Sequence, residues 1–169
     1  MDFIQHTTNW IKGEIFEATI FGSFGLLTII CGLLFWKFGE TPNSKALIIP
    51  LIVVGLFFLG TAISGINTSK KKLPQYTETY NQDKSTFVKS EKARVEGFQY
   101  LYTMTIIIAS VCFVLAICAF VFTQNTTLRG IGIALAIFGI TGLVIDYFSK
   151  ERADNYYKEI NTEIKATYS

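Results

Sequence analysis

The chain has 169 residues, of which half are hydrophobic and 17% are charged, whereas about 25% of the residues of a soluble domain are charged. The net charge is only +2, and the Lys and Arg residues form no basic run with interleaved aromatics, so we set DNA and RNA binding aside. The composition favours a membrane protein.

Four apolar blocks without any Lys, Arg, Asp, Glu or His cover residues 18–36, 46–69, 98–122 and 130–145. A helix needs roughly 20 such residues to cross the ~30 Å hydrocarbon core of a bilayer. The first two blocks are joined by a short connection, as are the last two, and short connections make sequential helices antiparallel neighbours. We therefore predict an all-α polytopic membrane protein whose four transmembrane helices form two antiparallel hairpins, residues 18–69 and 98–148.

The basic residues set the predicted orientation, because loops rich in Lys and Arg stay in the cytoplasm. Twelve of the fifteen Lys and Arg residues lie in segments 1–17, 70–97 and 146–169, and all eight tyrosines lie on the same side of the predicted spans. Both termini are therefore predicted to be cytoplasmic. The bias toward Ile, Lys, Asn, Phe and Tyr is compatible with an AT-rich bacterium, and we place the chain in a bacterial inner membrane.

Two cytoplasmic segments are predicted to form amphipathic helices: the linker 70–97 and the C-terminal segment 149–169. The N-terminal segment 1–17 is a weaker candidate, whose apolar side chains are compatible with a helix in the plane of the membrane interface. Pro74 is expected to break the helix that leaves the second span, and Asp83 to cap the next helix. The lysines that follow the second span are predicted to contact anionic lipid: Lys70, Lys71 and Lys72.

Apolar side chains recur at helical spacing on the linker and on the C-terminal segment. They form a predicted cytoplasmic partner face: Val88, Val95, Phe98, Tyr157, Ile160 and Ile164. Two destinations remain open for this face. The helix at 83–98 and the C-terminal helix could pack together as a layer beneath the spans, or they could bind another subunit or a second protein.

Small residues at four-residue spacing mark faces where transmembrane helices approach each other closely. The predicted helix-packing or oligomer face consists of Gly22, Gly25, Gly60, Ser64, Gly65, Gly132, Ala136 and Gly139. Packing within the chain and contact between the subunits of an oligomer are both compatible with this pattern.

No ionisable side chain lies in the middle of any apolar block, although such groups mark the substrate and proton pathways of many transporters. This pattern argues against a proton-coupled carrier or an ion pump. Asp146 is the one acidic residue close to the end of a span. It is expected to reach headgroup water and to pair with Lys150 or with the lysines at 70–72.

Membrane enzymes of this size carry polar clusters such as His/Asp groups, Ser/His pairs or a zinc-binding HExxH pattern. The chain has one histidine and none of these patterns, so no catalytic, cofactor-binding or metal-binding residue is predicted. We expect a non-enzymatic integral membrane protein that acts through protein–protein interaction, as a scaffold, regulatory or protective subunit. Its predicted partners are membrane lipids and either a second copy of itself, in a homo-oligomer, or another membrane protein. The alternative is a small homo-oligomeric channel or passive transporter.

Overall fold

A computed structural model describes residues 2–168, and this part of the chain is helical almost throughout, with no strand. Four helical stretches within it are long and apolar enough to cross a membrane. The prediction of an all-α chain with four such helices is therefore confirmed. The five helices are α1 (Phe3–Phe38), α2 (Pro42–Gln82), α3 (Lys84–Phe98), α4 (Tyr100–Val121) and α5 (Thr126–Tyr168).

Side-chain caps fix the beginnings of three helices, because they satisfy backbone N–H groups that lack a partner in the first helical turn. Thr41 accepts a hydrogen bond from the backbone N–H of Ser44 at the start of α2 (3.2 Å). Asp83 accepts from the N–H of Thr86 at the start of α3 (3.0 Å), as predicted. Asn125 accepts from the N–H of Thr127 at the start of α5 (2.9 Å).

Two expectations about helix continuity are wrong. Helix α1 is unbroken from Phe3 to Phe38, so its first turns continue the apolar stretch and do not form a separate in-plane helix. Helix α2 likewise continues through Pro74. A proline inside a helix costs about 3 kcal/mol, and burial of apolar side chains on both sides of Pro74 offsets that cost. Leu73 and Tyr76 pack against a hydrophobic cluster that contains Tyr80.

The apolar halves of α1 and α2 pack through glycines, and their contacts run in opposite chain directions. A Cβ added at Gly25 would lie 2.7 Å from the carbonyl oxygen of Gly55. Earlier in α1, Gly22 meets Ala62, which lies later in α2. The contacts between α4 and α5 also run in opposite chain directions, since Gly132 packs on Ala116 whereas Gly139, later in α5, packs on Ala109, earlier in α4.

Helix α5 joins these two helix pairs, because it also packs against α1 and α2. Phenylalanines fill the space between the three helices. The ring of Phe58 on α2 stacks on Phe138 of α5 with centroids 5.6 Å apart, and Phe21 of α1 meets Phe58 edge to face at 4.7 Å.

Beyond the apolar halves, the two ends of the chain and the linker form a second layer, which we call the end layer. It comprises residues 3–15 of α1, 70–82 of α2, all of α3 and 149–166 of α5. Its hydrophobic core resembles that of a soluble protein and contains Phe3, Trp10, Ile11, Tyr80, Phe87, Val88, Val95, Ala153, Tyr156 and Ile160.

Candidate functional site

Most of the predicted partner face lies inside the end layer. Val95 and Ile160 are fully buried and Val88 is nearly so. The other three members are half-buried and pack against the same core: Phe98, Tyr157 and Ile164. In this structure the face is thus used for packing within the chain, the first of its two open destinations, and its most buried side chains present little surface to another protein.

A buried carboxylate lies at the centre of the end layer. Glu91 on α3 is only 3% exposed and accepts two hydrogen bonds from the guanidinium of Arg94, at 2.9 and 2.7 Å. It also accepts a hydrogen bond from the hydroxyl of Tyr156 on α5 (2.8 Å). That hydroxyl lies 2.9 Å from Thr7 Oγ1 on α1. Burial and the neighbouring Glu91 carboxylate both raise the pKa of Tyr156.

A second carboxylate ties α1 to α2 and α3. Glu14 accepts hydrogen bonds from the indole N–H of Trp10 and from the hydroxyl of Ser69 on α2, both at 3.1 Å. Arg94 Nη1 approaches the same carboxylate at 3.8 Å. Arg94 therefore lies between two acidic groups, which offsets the cost of burying its charge.

A third carboxylate ties α1 to α5 at the boundary between the end layer and the apolar halves. Glu17 forms an ion pair with the guanidinium of Arg152. The arginine lies over Gly13, where an added Cβ would be 3.0 Å from its Nε. Burial raises the pKa of Glu17 to about 7, although the Arg152 charge acts in the opposite direction.

The small-residue positions divide into two groups. Gly22, Gly25, Gly65, Gly132 and Gly139 each face a neighbouring helix of the same chain, and Ala136 is half-buried. Gly60 differs, because no described heavy atom of another helix lies within 4 Å of a Cβ placed on it. Ser64, one turn further along α2, is exposed.

The predicted lipid-contacting lysines lie on α2 where it enters the end layer. Lys70 and Lys71 are exposed, and Lys72 is half-buried. Asp146 does not reach them. None of the ion pairs within residues 2–168 involves Asp146, and its carboxylate instead lines a cavity of about 140 Å³ beside Thr105. The expected pairing with a lysine is therefore wrong, because α5 turns this side chain toward α4.

Possible metal ligands are dispersed over the described helices. No group of three or more His, Cys, Asp or Glu in residues 2–168 is arranged to hold an ion. His6 lies 3.7 Å from Glu159 across the α1–α5 contact. In comparisons with protein-family models, curated proteins and solved structures, nothing matches this chain.

Proposed function

We propose that this chain is a non-enzymatic integral membrane protein that acts through protein–protein interaction, as a scaffold, regulatory or protective subunit. In this proposal residues 18–69 and 98–148 are two transmembrane hairpins, and the end layer faces the cytoplasm of a bacterium. The contact surface is the open small-residue face at Gly60 and Ser64 on α2, and the partner is a second copy or another membrane protein.

The observation that carries the proposal is the contrast between Gly60 and the other glycines of the predicted packing face. Each of those faces a neighbouring helix, whereas the space beside Gly60 is open among the described residues. Small residues allow transmembrane helices to approach closely, which is a main source of their association in lipid. Thr61 lies between Gly60 and Ser64 in the sequence. Its hydroxyl donates a hydrogen bond to the backbone carbonyl of Phe57 in the same helix (2.9 Å), so it adds no unpaired polar group to the open face.

The end layer supports this function by its rigidity. The hydrogen bond from Tyr156 to the Glu91 carboxylate joins α5 to α3, and the hydrogen bond from Ser69 to Glu14 joins α2 to α1. Because α1, α2 and α5 pass unbroken from the apolar halves into this layer, a partner bound to the spans is held at a fixed position relative to it.

The test is site-directed disulfide cross-linking in a background without the three native cysteines. Ser64→Cys should form an intermolecular disulfide in membranes, whereas Ser110→Cys, an exposed serine on α4, should form much less. Native mass spectrometry in lipid nanodiscs should show that Gly60→Leu lowers the oligomeric fraction and that Ser110→Leu does not. Equal cross-linking at both serines, or a monomer in both native and variant protein, contradicts self-association. Recovery of only the monomer together with one stoichiometric membrane protein would indicate the other partner class.

A channel or passive transporter is the competing function. Phe21, Phe58 and Phe138 occupy the centre between three helices, so we place any conduction path between subunits. Solute flux in liposomes containing the purified chain measures it directly. Selective, saturable flux would contradict the interaction proposal.

A further inference from the structure

A groove runs along the contact between α1 and α5, where the end layer meets the apolar halves. Its apolar part has a volume of about 490 Å³, within the range of small-molecule sites. The walls of this part are formed by Phe16, Ile20, Val144, Ile145 and Phe148. Ile20 and Val144 belong to predicted spans, so this part of the groove opens at the depth of the hydrocarbon.

A polar pocket of about 240 Å³ continues the groove into the end layer. It is lined by His6, Asn9 and Glu159 together with the rings of Trp10 and Tyr156. Arg152 and Asn155 line both the apolar groove and the polar pocket. The two cavities are therefore parts of one amphipathic site, apolar toward the spans and polar toward the end layer.

This polarity matches that of a membrane lipid in its ordinary orientation, with its chains in the hydrocarbon and its headgroup at the interface. The order of the lining residues along α5 follows the same direction, from Val144 through Arg152 to Glu159. An acyl chain lying beside Val144 would place the phosphate near Arg152, where the groove and the pocket meet.

Charge in the polar part decides which headgroup fits. Arg152 retains 32% exposure of its side chain while paired with Glu17, and guanidinium groups bind phosphate with several N–H donors. The carboxylate of Glu151 lines the apolar groove and that of Glu159 lines the polar pocket. They suit an ammonium group and oppose a headgroup with net negative charge.

We propose that the α1–α5 groove binds one zwitterionic phospholipid with a primary ammonium headgroup. Arg152 and Asn155 hold the phosphate, Glu159 in the polar pocket holds the ammonium, and an acyl chain lies against Val144 and Phe148. This site is separate from the lysines at 70–72, which remain a predicted contact for anionic lipid.

The experiment is native mass spectrometry of the full chain in detergent with equal concentrations of phosphatidylethanolamine and phosphatidylglycerol. The protein should retain one molecule of phosphatidylethanolamine, and the ratio of bound phosphatidylethanolamine to bound phosphatidylglycerol should be about three or more. This is the ratio expected from one partly exposed ion pair. Equal retention, or a preference for phosphatidylglycerol, would overturn the proposal.

Two variants locate the site. Arg152→Gln removes the phosphate-binding charge, and Lys150→Gln, at an exposed lysine on the same helix, is its control. Val144→Trp fills the apolar groove and leaves both members of the Glu17–Arg152 pair in the sequence, and Ile106→Trp on the exposed face of α4 is the control for its bulk. Both site variants should lose the bound lipid while both controls retain it. Retention of phosphatidylethanolamine by a helical Val144→Trp protein would overturn the placement even if the arginine variant misfolded.

Discussion

Substitution Glu91→Gln should destabilise the end layer by about 2 kcal/mol. Breaking a fully buried ion pair by removing one partner costs about 3–5 kcal/mol, because the other charge is left buried and uncompensated. Here the side chain of Arg94 is 24% exposed and keeps Glu14 at 3.8 Å, so the cost falls below that range. It remains well above that of losing an exposed pair, since Glu91 is 3% exposed.

Tryptophan fluorescence during urea unfolding in detergent measures this cost. Trp10 is 6% exposed in the end layer, and its ring lies 5.4 Å from that of Tyr156. Trp36 is 72% exposed in the last turn of α1, far from this layer. Trp36→Phe therefore leaves a single tryptophan, which reports the end layer when it is excited selectively. With a urea slope of about 1–3 kcal/mol per M, the midpoint should fall by about 1 M.

The matched control is Lys92→Gln on the same helix. The Lys92 side chain is 37% exposed and pairs with Glu96 at 3.9 Å, a geometry that contributes less than about 1 kcal/mol. We compare the two urea midpoints on the assumption of the same urea slope. If the midpoint of Glu91→Gln lies within about 0.3 M of the midpoint of the control variant, the conclusion that the buried carboxylate stabilises the end layer is refuted.

Three further outcomes are expected. The raised pKa of Glu17, about 7 against 4.5 for the free side chain, means that the folded state binds a proton more tightly than the unfolded state. The stabilisation from protonated Glu17 is complete below about pH 4.5 and is lost as the pH rises through 7. Glu17→Gln should therefore flatten the decline in thermal stability between pH 5 and 8. An unchanged dependence of the thermal midpoint on pH would contradict this assignment. Gly25→Ala should destabilise the chain by about 1–3 kcal/mol, because its Cβ would meet the Gly55 carbonyl at 2.7 Å. In Gly60→Ala the new Cβ meets no neighbouring helix of the same chain and alanine is the better helix former, so the thermal midpoint of the monomer should not fall; similar midpoints for the two variants would refute the assigned packing. Pro74→Ala should stabilise the end layer by up to about 3 kcal/mol, with a higher urea midpoint by Trp10 fluorescence, whereas a lower midpoint would show that the proline is needed.

The fold class followed from the sequence because apolar blocks of this length are strong signals, and the cap at Asp83 followed from local chemistry that needs no tertiary information. The continuity of α2 through Pro74 did not, since it depends on Leu73 and Tyr76 finding a core built from other parts of the chain. A prediction from local sequence includes only the free-energy cost of Pro74 inside a helix. The burial that offsets it comes from contacts remote in sequence.

The buried network shows a similar limit. Glu91 and Arg94 stand three residues apart, a spacing that pairs side chains on one helix face, and this signal was present in the sequence. It does not distinguish a solvated pair from one at the centre of a core. The distinction comes from Tyr156, 65 positions away on α5, and from Glu14 on α1.

The two groups of glycines have a mechanical consequence for the proposed assembly. Helix α2 carries the open face at Gly60 and Ser64 and continues as one helix to Gln82, so Tyr80 lies about 30 Å along the axis from Gly60 at 1.5 Å per residue. Tyr80 is fixed in the core of the end layer and donates a hydrogen bond to Asp2 (2.6 Å). A second α2 packed against Gly60 therefore sets the angle between two end layers, because no flexible loop separates the contact from the layer. Variants at Gly60 should then change cross-linking between end-layer positions that they do not touch.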